Sequence, residues 1–227
     1  MKILCLNGGG FNFFWYIGIL NNLDKKVLED YVYYAYSGGA IACALYLNNI
    51  TTDKMIDYTN KIKKEDYNLK FILNNIRIIL DDLLPEDCYK KCKNLNIIYY
   101  KLFDGLQIKN NFKNKNDLLD YLEFTSRLPL TMKNIYSIYN SFIMDPVTVN
   151  FKKYNFKNYF ILKVNSFSLL TCMYLNSDKE FIKNKVNDGY IYSKNNIIIQ
   201  NNCFVYKKKS FCTNFINIIK YILCLKN

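Results

Sequence analysis

Lys2 to Leu6 is a short apolar run that breaks at Asn7 and Gly8-Gly9-Gly10, after which Phe11 to Leu23 carries the long aromatic and apolar pattern of a buried helix. The pattern predicts strand, glycine loop, helix. Tyr31 to Tyr36 is a second β-favouring run, and Ser37-Gly38-Gly39 leads into Ala40 to Leu47, whose small residues let a helix pack close to a sheet. Strand, sharp turn and helix follow one another again. Two such units predict an α/β domain with a mostly parallel sheet covered on both faces.

Farther on, Thr51 to Leu84 reads as helical and lysine-rich, closed by Pro85. Asn96 to Leu102, the Asp104-Gly105 turn and Leu106 to Asn111 read as a hairpin. Asn116 to Thr125 predicts a helix ended by Pro129. Ile138 to Met144 approaches Asp145-Pro146, and Tyr159 to Val164 is another strand. Lys179 to Val186 reads as a helix stopped at Gly189, with a less regular remainder from Asn195. The apolar run Phe211 to Leu225, behind Lys207-Lys208-Lys209, suits either packing on the core or contact with a membrane surface.

Composition narrows the chemistry. At 227 residues and 51% hydrophobic content, one core and one domain are expected. The charge of +12 is almost wholly lysine, since arginine occurs only at Arg77 and Arg127. Forked guanidinium groups are the usual tools of specific phosphate and base recognition, so no nucleic-acid partner is expected. A lysine-rich, aromatic surface suits an anionic membrane face, and coding bias in an AT-rich genome accounts for the charge equally well. The eight cysteines are scattered through apolar runs and read as buried free thiols. The start is too short for a signal peptide and no stretch approaches the ~20 apolar residues of a membrane span, so a cytoplasmic location, peripheral at membranes, is expected. The chain has no histidine. That excludes an imidazole base and any histidine-ligated metal, and Cys88 and Cys92 alone make a poor zinc site, so neither metal nor cofactor is expected.

Two motifs carry candidate chemistry. Asn7-Gly8-Gly9-Gly10 between strand and helix presents successive backbone N–H groups where the helix dipole favours negative charge, which suits an oxyanion as well as a plain tight turn. It lacks the Gly-Lys-Ser/Thr of a P-loop and the last glycine of a dinucleotide fingerprint. Ser37 has small neighbours two before and two after it, Ala35 and Gly39, as a nucleophile elbow requires. A serine at that place also suits the N-cap of the following helix.

The two motifs in this order, with Tyr16 to Leu20 after the first, resemble the opening half of the patatin-like phospholipase family, and within it the adipose triglyceride lipase branch. Ala35-Tyr36-Ser37-Gly38-Gly39-Ala40 is similar to that branch's serine elbow. Leu84-Pro85-Glu86-Asp87, Cys92, Leu95 to Tyr100, Asp104-Gly105, Leu118-Leu119, Leu128-Pro129 and Gly189-Tyr190 follow its order. The resemblance covers residues 2–192, leaving 193–227 as a C-terminal extension packing on the domain or touching membrane. It implies a three-layer α/β/α domain and a lipid acyl hydrolase, of phospholipase A or lipase type, that uses a Ser-Asp dyad without histidine. The implied nucleophile is Ser37 and the implied base Asp145, which stands before the strand Tyr159 to Val164. Asp104, whose Asp-Gly matches the family dipeptide literally, aligns with a hairpin turn instead. Gly8, Gly9 and Gly10 are the implied oxyanion hole, and a phospholipid or acylglycerol at a membrane or lipid-droplet surface the implied substrate. Phe13 and Pro146 stand where the family commonly has glycine. They keep a second reading open, a catalytically inactive lipid- or membrane-binding protein of the same fold.

Overall fold

Strand β1 (Lys2–Leu6) and strand β2 (Tyr31–Ala35) pair in parallel with Leu6 opposite Ala35, so both chains leave the sheet side by side. This register decides where the site forms. The computed structural model describes residues 1–61, 69–101, 103–127, 143–146, 149–154, 156, 158–162 and 179–207. Between the two strands run helices α1 (Phe13–Asn22) and α2 (Lys25–Glu29). The latter is N-capped by Asp24, whose carboxylate accepts from the amides of Lys26 and Val27.

After β2 come α3 (Gly38–Leu47), α4 (Thr52–Lys61), α5 (Leu69–Leu83) and the short α6 (Cys88–Lys91). Then follow β3 (Leu95–Lys101), β4 (Gly105–Lys109) and α7 (Lys115–Phe124). The last described part holds β5 (Ile143–Met144), β6 (Tyr159–Leu162), α8 (Lys179–Asn196), β7 (Ile197–Gln200) and β8 (Cys203–Tyr206). The central sheet has the order β4-β3-β2-β1-β6, with β3, β2, β1 and β6 parallel and β4 an antiparallel edge; β5 pairs antiparallel with β3. This is the expected α/β domain with a mostly parallel sheet flanked by helices.

Alternation along the strands divides the core. Leu4 and Leu6 of β1 join Tyr31, Tyr33 and Ala35 of β2 on the face covered by α1, α3, α5, α7 and α8. Ile3 and Cys5 face the other way, where Tyr36, Ile98, Val149 and Phe151 form a second cluster. Among the described residues that second cluster is closed by Val149, Phe151, Tyr154 and Phe156, the last two stacked at 5.5 Å. The hairpin predicted around Asp104-Gly105 is β3–β4, with Gly105 at φ +73°.

Two expectations need correction. Gly189 does not stop a helix. α8 runs through it for 18 residues because Gly189 and Gly18 are where α1 and α8 touch backbone to backbone: a Cβ on Gly189 would lie 2.0 Å from the Trp15 carbonyl oxygen, and one on Gly18 1.9 Å from that of Val186. The glycine serves a close approach rather than a terminus. The described part of the remainder after Asn195, up to Lys207, is also more regular than expected. β7 and β8 form a hairpin turned by Asn201 and Asn202, both at positive φ, and Phe204 stacks on Tyr31 at 5.2 Å. The span Thr51 to Leu84 holds two helices, and its residues 62–68 lie outside the described residues, as do Ile138 to Phe142, Val164 and Phe211 to Leu225. Of the eight cysteines, Cys172, Cys212 and Cys224 lie outside too; Cys5, Cys43, Cys88 and Cys92 are buried free thiols and Cys203 is half-buried.

Candidate active site

Because Leu6 pairs with Ala35, the glycine loop after β1 and the turn after β2 emerge against each other. The packing leaves no room for side chains. A Cβ on Gly38 would stand 2.5 Å from the Gly10 carbonyl oxygen, one on Gly39 2.6 Å from that of Asn7, and one on Gly8 3.2 Å from the Ser37 Cβ. Gly38 and Gly39 are therefore required by backbone contact between two loops far apart in sequence, and Gly8 by the Tyr36 and Ser37 side chains packed on it.

Ser37 sits at the hinge of this contact with φ 51° and ψ −135°, a conformation that L-residues rarely adopt. Its residue is only 8% exposed, and its side chain makes no capping hydrogen bond to α3. Capping therefore does not explain this serine. The strained strand-to-helix turn is the geometry that lifts a nucleophile out of a sheet edge. Thr125, just past α7 and fully buried, holds the turn: its hydroxyl accepts from the Ser37 amide at 3.0 Å and donates to the Ile98 carbonyl at 2.6 Å.

Asp145 reaches the same region by a different route. β2 pairs with β3 at Leu95 to Ile97, β4 holds the opposite edge of β3, and β5 pairs antiparallel with Tyr100 and Lys101. β5 therefore runs toward the end of β2 along the edge that β2 has vacated, and Asp145 is its next residue. It is 5% exposed, and its amide donates to the Arg127 carbonyl at 2.8 Å. Thr125 and Arg127, two residues apart, thus anchor the Ser37 turn and the Asp145 segment.

Tyr36 links these pieces further. Its ring lies on Gly8, where a Cβ would be 2.6 Å from Cε2. Burial pushes the Tyr36 phenol up, the backbone at Gly8 and Val149 pulls it back in part, and the Asp145 carboxylate raises it. The amides of Gly9 and Gly10 donate to no acceptor among the described residues. Asp104 stands apart, exposed in the β3–β4 turn and paired with Lys101 at 2.5 Å. Thr125 and Tyr36 escaped the sequence reading: a threonine at a helix end and a tyrosine in an aromatic strand carry no signal of a partner distant in sequence.

A cleft of about 340 Å³ lies at the other end of the strands, where α3 finishes and β3 begins, lined by Lys25, Glu29, Tyr46 and Lys93 among others. It contains none of the residues above. Among the described residues, no helix is long and apolar enough to cross a membrane.

A family model described as Patatin-like phospholipase matches residues 4–198, which takes in the glycine loop, the serine turn and Asp145. No curated protein matches the chain. With that match over most of its length, and with a mostly parallel sheet that sets a glycine loop against a strained serine turn, the chain belongs to the patatin-like phospholipase family.

Proposed function

We propose that the protein is a lipid acyl hydrolase in which Ser37 is the nucleophile, Asp145 its base, and the glycine loop the oxyanion site. The observation that carries this reading is Ser37 itself, held at φ 51° with its side chain released from capping and the loop packed against it. A strained serine with no structural task is best explained by a chemical one.

The steps balance without a histidine or a cofactor. Asp145 takes the Ser37 hydroxyl proton as Oγ bonds to the ester carbonyl carbon, and the carbonyl oxygen becomes an oxyanion met by loop amides. The carbon–oxygen bond to the alcohol breaks, the alcohol leaves with the proton from Asp145, and an acyl-enzyme remains. Water, deprotonated in turn by Asp145, then releases the fatty acid and restores Ser37. Asp145 is buried, at 5% exposure, in the region that the Ser37 turn also reaches. The positive end of α3 behind Ser37 stabilises the developing charge.

The substrate is a phospholipid or acylglycerol presented at a membrane or lipid-droplet surface. The +12 charge supports attraction to anionic lipid at the cytoplasmic side. Placement near the adipose triglyceride lipase branch rests on the Asn7-Gly8-Gly9-Gly10-Phe11 segment and the serine elbow. One feature favours the alternative, a silent lipid-binding protein: Pro146 follows Asp145, fixes φ near −65° and offers no N–H where the family has glycine.

The deciding experiment is hydrolysis of a fluorogenic short-chain ester and of phospholipid vesicles by wild type, Ser37→Ala and Asp145→Asn. Loss of turnover in both variants, by 10³-fold or more on the scale of triad removal, is expected. Equal turnover by all three sinks the catalytic assignment and leaves the binding reading.

A further inference from the structure

Arginine is scarce in this chain, and both copies meet at one carboxylate. Of the 31 lysine and arginine residues only Arg77 and Arg127 are arginine. Arg77, on α5, reaches along one face of α7: its Nη1 donates to the Asp120 carboxylate, its Nη2 donates to the Asn116 side-chain oxygen at 3.1 Å, and Nη1 lies 4.0 Å from Glu123 Oε2. Arg127, just past the end of α7, folds back over one turn. Its Nε at 3.3 Å and its Nη2 at 2.6 Å both donate to Glu123 Oε1, and its guanidinium lies 4.8 Å from the centre of the Phe124 ring. The two oxygens of Glu123 are thus divided between the two guanidinium groups. In a chain that otherwise uses lysine for positive charge, the forked group stands where orientation matters as well as charge.

What the clamp orients is the main chain at Arg127. That residue lies beyond the last turn of α7, its amide donates to the Phe124 carbonyl at a long 3.3 Å, and its own carbonyl accepts the Asp145 amide at 2.8 Å. We infer that Arg127 is a positioning residue: its side chain, fixed on Glu123 and through Glu123 on Arg77 of α5, holds the carbonyl that receives Asp145. It thereby sets where that carboxylate stands relative to the Ser37 turn, which Thr125 holds two residues earlier. Both guanidinium groups are 36% exposed, so the ion pairs add little to global stability. Their effect is local, because a chain end that would otherwise fray is tied to a neighbouring helix at the point where it meets Asp145. The catalytic half of this inference rests on Asp145 being the base; the clamp itself does not.

The test uses the full chain with two variants: Arg127→Lys, which keeps the charge and loses the fork, and Glu123→Ala, which removes the shared carboxylate and keeps a good helix former. In wild type the Asp145 amide is expected to exchange with solvent far more slowly than an unprotected peptide amide. In each variant it exchanges roughly tenfold faster, while the amides of Leu119 and Leu122 inside α7 are unchanged. Turnover of a short-chain ester falls about tenfold in kcat with KM within about twofold, and the double variant falls no further than either single one, because both break the same link. Wild-type exchange at Asp145 as fast as in an unprotected peptide overturns the clamp even if a variant fails to fold. Unchanged exchange at Asp145 in the folded variants, or additive losses in the double variant, overturns it as well. Faster exchange with unchanged kcat overturns the catalytic half. Turnover surviving in Ser37→Ala and Asp145→Asn overturns the functional reading instead and leaves the exchange result standing.

Discussion

The Thr125 hydroxyl is 3.0 Å from the Ser37 amide nitrogen, so a side chain beyond helix α7 holds the backbone of the turn that follows β2. The same hydroxyl donates to Ile98 of β3, and the residue is fully buried. Thr125→Val keeps the shape and leaves a buried N–H and a buried C=O unpartnered, at a cost of about 1–3 kcal/mol. Thr125→Ser should retain both bonds and most of the stability. Urea unfolding of the two variants checks this, and equal stability would show that the hydroxyl holds nothing.

Ser37 should respond differently to glycine and to alanine. At φ 51° and ψ −135° an L-side chain is strained, so Ser37→Gly is expected to be more stable than Ser37→Ala by about 1 kcal/mol, even though glycine has more unfolded-state entropy to lose. Thermal melts of the pair decide the matter. An alanine variant as stable as the glycine one would mean that the turn relaxes.

The helix contact at Gly18 and Gly189 makes a sharper prediction. Alanine is the better helix former by about 1 kcal/mol at an exposed position. Here its methyl meets a backbone carbonyl at 1.9 Å or 2.0 Å, and α1 must part from α8. Overpacking should win, with a net loss of about 1–3 kcal/mol for either variant in denaturant titration. A gain would show that the helices are not packed so closely.

Burial pushes the Cys5 and Cys92 thiols up to about 12 from a usual 9.0, and Cys43 well above it. A folded-state pKa above the unfolded one contributes stability that is complete below about pH 9 and lost as pH rises toward 12. The urea midpoint should hold level up to pH 9 and fall beyond it. Of the five described cysteines, half-buried Cys203 should be alkylated first at pH 8, as peptide mapping by mass spectrometry will show.

Lipid binding driven by lysine charge should depend on both lipid and salt. Co-sedimentation is expected with anionic vesicles and not neutral ones, and to weaken between low and physiological ionic strength. Binding indifferent to both variables would assign the contact to apolar residues instead.

Much of the fold was legible in the chain because it rests on local patterns. The apolar runs at Lys2 to Leu6 and Tyr31 to Tyr36, each followed by glycines and a helix, specify strand–turn–helix units through sterics and periodicity alone. The absence of histidine by itself removes whole classes of mechanism. What only the tertiary structure decided was contact between segments distant in sequence. Gly189 reads as a helix stop until α1 lies against it. Thr125 reads as a helix end until the Ser37 amide points at its hydroxyl. Tyr36 reads as one more strand aromatic until the glycine loop closes under its ring. The physical reason is common to all three: a residue's conformational preference is written in its neighbours along the chain, whereas its partner across a sheet is set by register and packing, which no local pattern encodes.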